Sequence, residues 1–183
     1  MSIIRCKWCN LKNKKYIEYH DNEWGVPNLD EHYLYEMFIL ETFQAGLSWE
    51  CILNKRDSFK IAYDNFDIDK VCSYDDIKYN ELLNNKDIIR NKLKIKASIT
   101  NSIIYKNIIS EYGSFYYYLK IFCVDKVIIE NDKTTNYISD SISKDLIARG
   151  MKFVGSTTIY SYLQAIGIIN SHDKDCFKYE VIK

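Results

Sequence analysis

The chain has 183 residues, 47% hydrophobic and 15% aromatic, with one Pro and six Gly. That composition supplies a buried core and argues against linkers, many-turned β structure and disorder. Twenty-five basic and twenty-five acidic side chains cancel, so contact with nucleic acid has to come from a local patch rather than a global field. The length predicts one domain over 1–183, or two helical lobes sharing a cleft. The N-terminal MSIIRCKWCN has neither a long apolar run nor a cleavage site, and no stretch approaches a membrane span. Cytoplasmic residence is expected, with the six Cys read as thiols or metal ligands rather than disulfides.

In chain order, Cys6 and Cys9 form a C-x-x-C pair around Trp8, a zinc pattern that needs a second pair to become strong. Lys12 to Lys15 read as solvated surface, followed by Tyr16, Tyr19 and His20 and then a loop from Asp21 to Pro27 carrying Trp24. Asp30 is the expected N-cap of a helix running to about Ala45, where Gly46 breaks it. On that helix Glu41 falls among Leu34, Met37 and Ala45, away from Glu31 and Glu36. A carboxylate on an apolar face is paired, protonated or awaiting a ligand, because burying it alone costs several kcal/mol. Ser48 caps a second helix from Trp49 to about Tyr63, with Ile52, Leu53 and Phe59 inward and Arg56 and Lys60 on a more polar side.

Ser73 to Asp76 resembles a capping box and opens a helix to about Leu83, and Asn84 to Asp87 is a turn. A long helix follows from Ile88 or Asn91 to Tyr112, with Gly113 as its stop and Ile95, Ile99 and Ile103 as its apolar stripe. The pair at 74–112 reads as a helix-hairpin-helix, with Arg90, Lys92, Lys94 and Lys96 as the one local basic patch suited to phosphates. Ser114 to Phe122 is a short aromatic helix, and 123–138 is irregular with β character at Val127 to Ile129. Helices at Ser141 to Arg149 and Ser156 to Ile166 are stopped by Gly150 and Gly167, and the tail carries His172-x-x-x-Cys176.

The chain ends thus hold five soft ligands, Cys6, Cys9, His20, His172 and Cys176, and a closed set of four would be a structural metal site joining the termini. No H-E-x-x-H, Walker loop, G-x-S-x-G or dinucleotide fingerprint is present.

RCKW at 5–8, YHDNEWGVP at 19–27, QAGLSW at 44–49, IIRN at 88–91, KFVGSTTIYSYLQA at 152–165 and His172-x-x-x-Cys176 cover nearly the whole chain. With these the sequence resembles the 3-methyladenine DNA glycosylase I family, within the helix-hairpin-helix DNA glycosylase superfamily. The resemblance implies an all-α fold and a structural zinc on Cys6, His20, His172 and Cys176. It also implies a base pocket lined by Glu41, Tyr19 and Trp49, with Trp8, Tyr16 and Trp24 nearby. Two positions depart from the family pattern: Cys9 is an additional thiol, and Asp87 stands where the hairpin usually has Gly.

These residues suit removal of a cationic base. Alkylation at N3 makes adenine a good leaving group, so the site has to recognise more than it has to protonate. Aromatic rings stack on the cation, and Glu41 complements its charge. Leu47 on the Gly46 turn is the expected wedge into the stack left by the flipped base, and Arg90 and Lys92 the expected phosphate contacts. With no Lys read beside Glu41, water is the expected nucleophile and strand cleavage is not expected. The substrate is then double-stranded DNA carrying alkylated purines, acted on by a monomer. Two other classes are a non-catalytic zinc-stapled DNA-binding module, with Glu41 structural, and a zinc hydrolase with His20 in an open metal site.

Overall fold

The computed structural model describes residues 3–123 and 126–180. Its central element is helix α2 (Glu31–Gln44), opened by Asp30, whose carboxylate accepts from the Tyr33 amide. Every residue from Leu34 to Phe43 is buried, so α2 runs through the core rather than along its surface. Four helices pack on it: α3 (Trp49–Ala62), α6 (Lys92–Tyr112), α7 (Phe115–Lys120) and α9 (Ser156–Ala165). Outside these, α1 (Lys14–Asn22) lies on α3, α4 (Ile68–Cys72) and α5 (Asp76–Asn84) lie on α6, and α8 (Tyr137–Ala148) covers α9. The hydrophobic core is one cluster reaching from Tyr19 to Ile169. Among the described residues no helix is long and apolar enough to cross a membrane.

The all-α expectation holds except for one short parallel ladder. Strand β1 (Ile128–Ile129) pairs with β2 (Ile169–Asn170) in the register Ile128 to Ile169. Several boundaries differ from the sequence reading. Residues 14–22 form a helix capped by Asn13, which absorbs both the expected lysine-rich surface and the start of the expected loop. Ser73 ends α4, and Asp75 caps α5 by accepting from the Lys78 amide. Helix α8 starts four residues before Ser141, at Tyr137, because Asn136 and Ser139 satisfy each other's backbone amides in a capping box.

The expected Ile95–Ile99–Ile103 stripe of α6 is displaced, since Ile103 is 44% exposed. The buried face instead carries Ser98, Asn101, Ser102, Tyr105 and Ile108 with Ile95. Ser98 and Ser102 stand 2.9 and 2.6 Å from the hydroxyls of Tyr63 and Tyr35. Small polar side chains therefore fill this seam because the core tyrosines need hydrogen-bond partners. At the far side, Gly167 (φ +77) lets the end of α9 cross the Val26–Pro27 backbone, where an added Cβ would lie 2.2 Å from Pro27 N. That crossing brings the Trp24 loop against α9 and sets one wall of the site.

Candidate base-binding site and metal cluster

A cavity of about 340 Å³ is lined by Trp8, Tyr16, Tyr19, Trp24, Glu41 and Trp49, the six residues the resemblance implies for the base pocket. Each comes from a different local context. Tyr16 and Tyr19 project from α1, Glu41 from the middle of α2, and Trp49 from the first position of α3, which Ser48 caps by accepting from Cys51 N. Tyr19 and Trp49 pack with ring centroids 5.1 Å apart at 46°, while Trp8 meets Tyr16 at 5.3 Å and Trp24 edge-on at 4.6 Å. The remaining lining is polar, with Gln44, Asn131, Lys133, Gln164 and Asp173 among it. The sequence reading missed these. They lie on the α2 end, the 130–136 segment, α9 and the tail, and only the fold brings them together.

Glu41 is 3% exposed, and its Oε2 has no hydrogen-bond partner among the described residues. Desolvation pushes its carboxyl up to about 8. Trp49 Nε1 is likewise buried without a partner. Two orphaned polar atoms of opposite hydrogen-bonding character beside one cavity are ready to pair with a ligand, because each costs free energy while unpaired. Tyr19 is fully buried and its hydroxyl is pushed up by burial and then by Glu41, so it stays a neutral ring. The other buried carboxylate of α2 is different in kind. Glu36 is 6% exposed but accepts from Arg56 Nε at 2.7 Å, and Arg56 also binds Glu23 at 2.8 and 2.9 Å. The sequence reading placed Arg56 on a polar side; it is the counter-ion of Glu36. Glu41 has no such cation among the described residues.

Lys133 also lines the cavity, a cation that the sequence alone does not place there. Its Nζ is paired with Glu130 Oε1 at 2.6 Å, and Glu130 is held in turn by Asn136 and Tyr160 at 3.0 Å.

Cys6, His20, His172 and Cys176 converge behind the aromatic wall, with one ligand atom from each within 4.8 Å of all the others. All four are buried. Both imidazoles are oriented through their outer nitrogens. His20 Nδ1 donates to Asp21 at 2.8 Å, and His172 Nε2 donates to the Trp24 carbonyl at 3.0 Å. That turns His20 Nε2 and His172 Nδ1 toward the thiols, with His172 Nδ1 3.3 Å from Cys6 Sγ and 3.5 Å from Cys176 Sγ. Asp21 is fixed by Arg5 at 2.6 Å. Burial holds both histidines neutral, His172 with a pKa lowered to about 4, and pushes the Cys6 thiol up. The amides of Asp173 and Lys178 point at Cys6 Sγ and Cys176 Sγ at 3.3 and 3.5 Å. Neutral imidazoles with oriented outer nitrogens and sulfurs receiving amide donors are the donor set of a Cys2His2 metal site. Cys9 stays outside this set, buried, with its thiol directed at the Tyr16 carbonyl at 3.9 Å. Gly25 allows the approach, since a Cβ there would lie 3.2 Å from the His172 ring.

Leu47 is 39% exposed on the turn closed by Leu47 N to Gln44 O at 2.6 Å. Arg90, Lys92 and Lys96 are exposed around the 85–91 turn, whereas Lys94, expected in the same basic patch, is 7% exposed and points inward. Asp87 at the departure from the family pattern offers its carbonyl to Lys55 Nζ at 3.0 Å.

An aromatic cavity with a buried, unmatched carboxylate, set in a helical frame, has the chemistry to hold one flat, positively charged ring. The sequence profile of the methyladenine glycosylase family matches residues 8–179, and the chain belongs to that family. It is 37% identical over 181 residues to DNA-3-methyladenine glycosylase 1 of Escherichia coli (strain K12), covering 96% of each chain. It is 34% identical over 179 residues to the DNA-3-methyladenine glycosylase of Haemophilus influenzae, covering 94% of this chain and 96% of that one. A solved structure of a 3-methyladenine DNA glycosylase I variant in complex with 3-methyladenine superposes with a TM-score of 0.91 at 29% identity, over 98% of this chain and 99% of the other.

Proposed function

We propose that the chain is a DNA-3-methyladenine glycosylase that excises 3-methyladenine from alkylated DNA. The observation that carries the reading is the orphaned Glu41 carboxylate beside the Tyr19–Trp49 pair. Burial works against its ionised form, and a cationic base restores that form by supplying both the missing charge and an amino donor. The rings contribute on the order of 2 kcal/mol when they stack on the desolvated cation. Neutral adenine gains neither the charge match nor the full stacking term, so the same cavity discriminates against it. Its excision is also slower because its leaving group is not activated. Water attacks the sugar carbon as the N-glycosidic bond breaks, the bonding pair leaves with the base as neutral 3-methyladenine, and the proton of the attacking water passes to solvent. Lys133 Nζ is turned to Glu130 Oε1 at 2.6 Å, which supports hydrolysis without a covalent intermediate.

The base reaches the cavity only by leaving the duplex, at a cost of a few kcal/mol that a weakly paired lesion reduces. In this reading Leu47 fills the gap and Arg90 and Lys92 hold phosphates beside the α5–α6 hairpin, so that double-stranded DNA is the substrate. One chain carries all of these parts in a single domain, so the enzyme works as a monomer, in the cytoplasm. Zinc on Cys6, His20, His172 and Cys176 fits the donor set. Four protein ligands leave no position for water, so the ion supplies restraint of the chain ends rather than a reaction step. The same closure argues against a zinc hydrolase.

The test is release of free base from methylated duplex DNA, separated chromatographically. Recovery of 3-methyladenine supports the reading. Duplex binding without base release would leave the chain as a non-catalytic DNA-binding module.

A further inference from the structure

We infer that Lys94 is a positioning residue, its buried ammonium tying the start of α6 to the end of α2 so that the hairpin and the Glu41 helix move as one body. The inference rests on the glycosylase reading above, in which the hairpin meets DNA and α2 carries the carboxylate.

Lys94 sits in the first turn of α6, where the Asn91 cap accepts both the Leu93 and Lys94 amides. Its neighbours Lys92, Leu93 and Lys96 are exposed, yet Lys94 turns into the core. A buried ammonium is ordinarily matched by a carboxylate. Lys94 has none in ion-pair range among the described residues. Its Nζ donates instead to the Phe43 carbonyl at 2.7 Å and the Ala45 carbonyl at 2.5 Å. These are the end of α2, where no backbone amide of the cap residue closes the last turn. The final carbonyls of a helix lack partners and carry the negative end of its dipole, so a cation there replaces the missing cap.

The junction gathers a third element. The Phe153 ring, on a residue held at φ 58, lies 5.9 Å from Lys94 Nζ. Two turns further along α6, Asn101 clamps the Lys152 backbone with bonds of 2.8 and 3.0 Å. Residues 152–155 lead into α9, whose Ser161 and Gln164 line the cavity. Lys94 therefore stands where the hairpin, the Glu41 helix and the approach to α9 meet. Ala45 lies one helical turn past Glu41 and two residues before Leu47. A shift of the hairpin against α2 would place the flipped base and the wedge out of register without disturbing the cavity itself.

The test is Lys94→Met, which keeps the unbranched stem to Cε and removes the ammonium with its three donors, studied below its unfolding temperature. Single-turnover release of 3-methyladenine from bound duplex should fall roughly 10- to 100-fold, the scale of a small misplacement far from the chemistry. Affinity for free 3-methyladenine and for the duplex should stay within about two-fold of wild type, because the cavity and the exposed cations are intact. Lys92→Met, at an exposed cation, should weaken duplex binding, which Lys94→Met leaves in place. A wild-type bound rate in Lys94→Met would overturn the inference, and so would an equal loss of free-base affinity, which marks a collapsed cavity. Hydrogen exchange reads the same coupling without activity. Duplex should protect residues 46–48 together with 85–91 in the wild type, and only 85–91 in Lys94→Met; equal protection in both proteins would overturn it. Failure of the wild type to release any base is a separate result that strikes the glycosylase reading alone.

Discussion

His172 donates through Nε2 to the Trp24 carbonyl at 3.0 Å and packs edge-on against the Trp24 ring, with centroids 4.6 Å apart. The other nitrogen of the same imidazole faces the two sulfurs of the candidate metal site. Whatever fixes that ring thus fixes part of the cavity wall. Trp8, two residues past Cys6, repeats the relation with its ring 5.2 Å from His20.

Metal removal should therefore loosen the termini first and the aromatic wall second. Purified protein should hold about one zinc per chain. Cys176→Ser should lose the metal and several kcal/mol of stability, since the ion's binding energy contributes to folding. Base affinity should fall by less than ~10-fold, because Glu41 and Trp49 lie on helices away from the cluster and Tyr19, although it precedes His20 on α1, packs against Trp49. Elemental analysis with thermal denaturation checks this. Retention of zinc by Cys176→Ser, together with its loss in Cys9→Ser, would show that the extra thiol is the true ligand.

Glu41 predicts a pH-dependent stability. Burial raises its folded pKa to about 8 from an ordinary value of 4.5. The native state keeps a proton that the unfolded chain has released between those values. The stability linked to it is complete below pH 4.5 and lost as pH rises through about 8. Glu41→Gln cannot ionise, so its stability relative to wild type should grow across that window by at most roughly 1.4 kcal/mol per pH unit. Urea denaturation at pH 5 through 9 measures the difference. A difference independent of pH would mean that a cation matches the carboxylate.

The zero net charge predicts a shallow salt dependence of duplex binding. Only a few cations, Arg90 and Lys92 among them, are available at the hairpin, and Lys94 is withdrawn into the core. Replacing Arg90 and Lys92 together should reduce the slope of log affinity against log salt by about 2 and weaken binding to any sequence alike. A wild-type slope near that of about ten phosphate contacts would reveal a basic surface elsewhere.

The local parts of the site were legible in the sequence and its assembled surroundings were not. Glu41 stood out because a carboxylate at an apolar position of a capped helix is a chemical anomaly, and the paired ligands at the chain ends stood out by residue type. Glu36 did not stand out, because its burial depends on Arg56 arriving from α3. Lys94 looked like one more surface lysine, since nothing local announces that α2 ends without its own cap opposite it. Gln164, Asn131 and Lys133 reach the cavity through the β1–β2 ladder and the α9 crossing, contacts between distant parts of the chain. The displaced stripe of α6 has the same origin, because Ser98 and Ser102 are core residues only when Tyr63 and Tyr35 bond them.

Lys133 gives a prediction about mechanism. Paired with Glu130, it should form no imine with the sugar, so borohydride should trap no protein–DNA adduct and the strand should stay intact at the abasic site. Glu130→Gln would remove the ion-pair partner, and even then trapping is expected only if the sugar carbon lies within reach of Lys133. A trapped adduct in the wild type would replace hydrolysis by a lyase pathway.

The most direct measurement is release of free base from methylated duplex DNA by the wild type, Glu41→Gln and Trp49→Ala, with free-base binding followed in parallel by calorimetry. The account predicts that the wild type releases 3-methyladenine and leaves the strand whole. Each variant should lose ~10- to 100-fold in rate, because recognition weakens while the leaving group stays activated. Glu41→Gln should lose most of its preference for excising 3-methyladenine over adenine, where the alkylated base is still cationic, and Trp49→Ala should bind both free bases less well. A Glu41→Gln protein that binds 3-methyladenine as well as the wild type yet releases none would contradict the account, because Glu41 would then act on the attacking water rather than on the base.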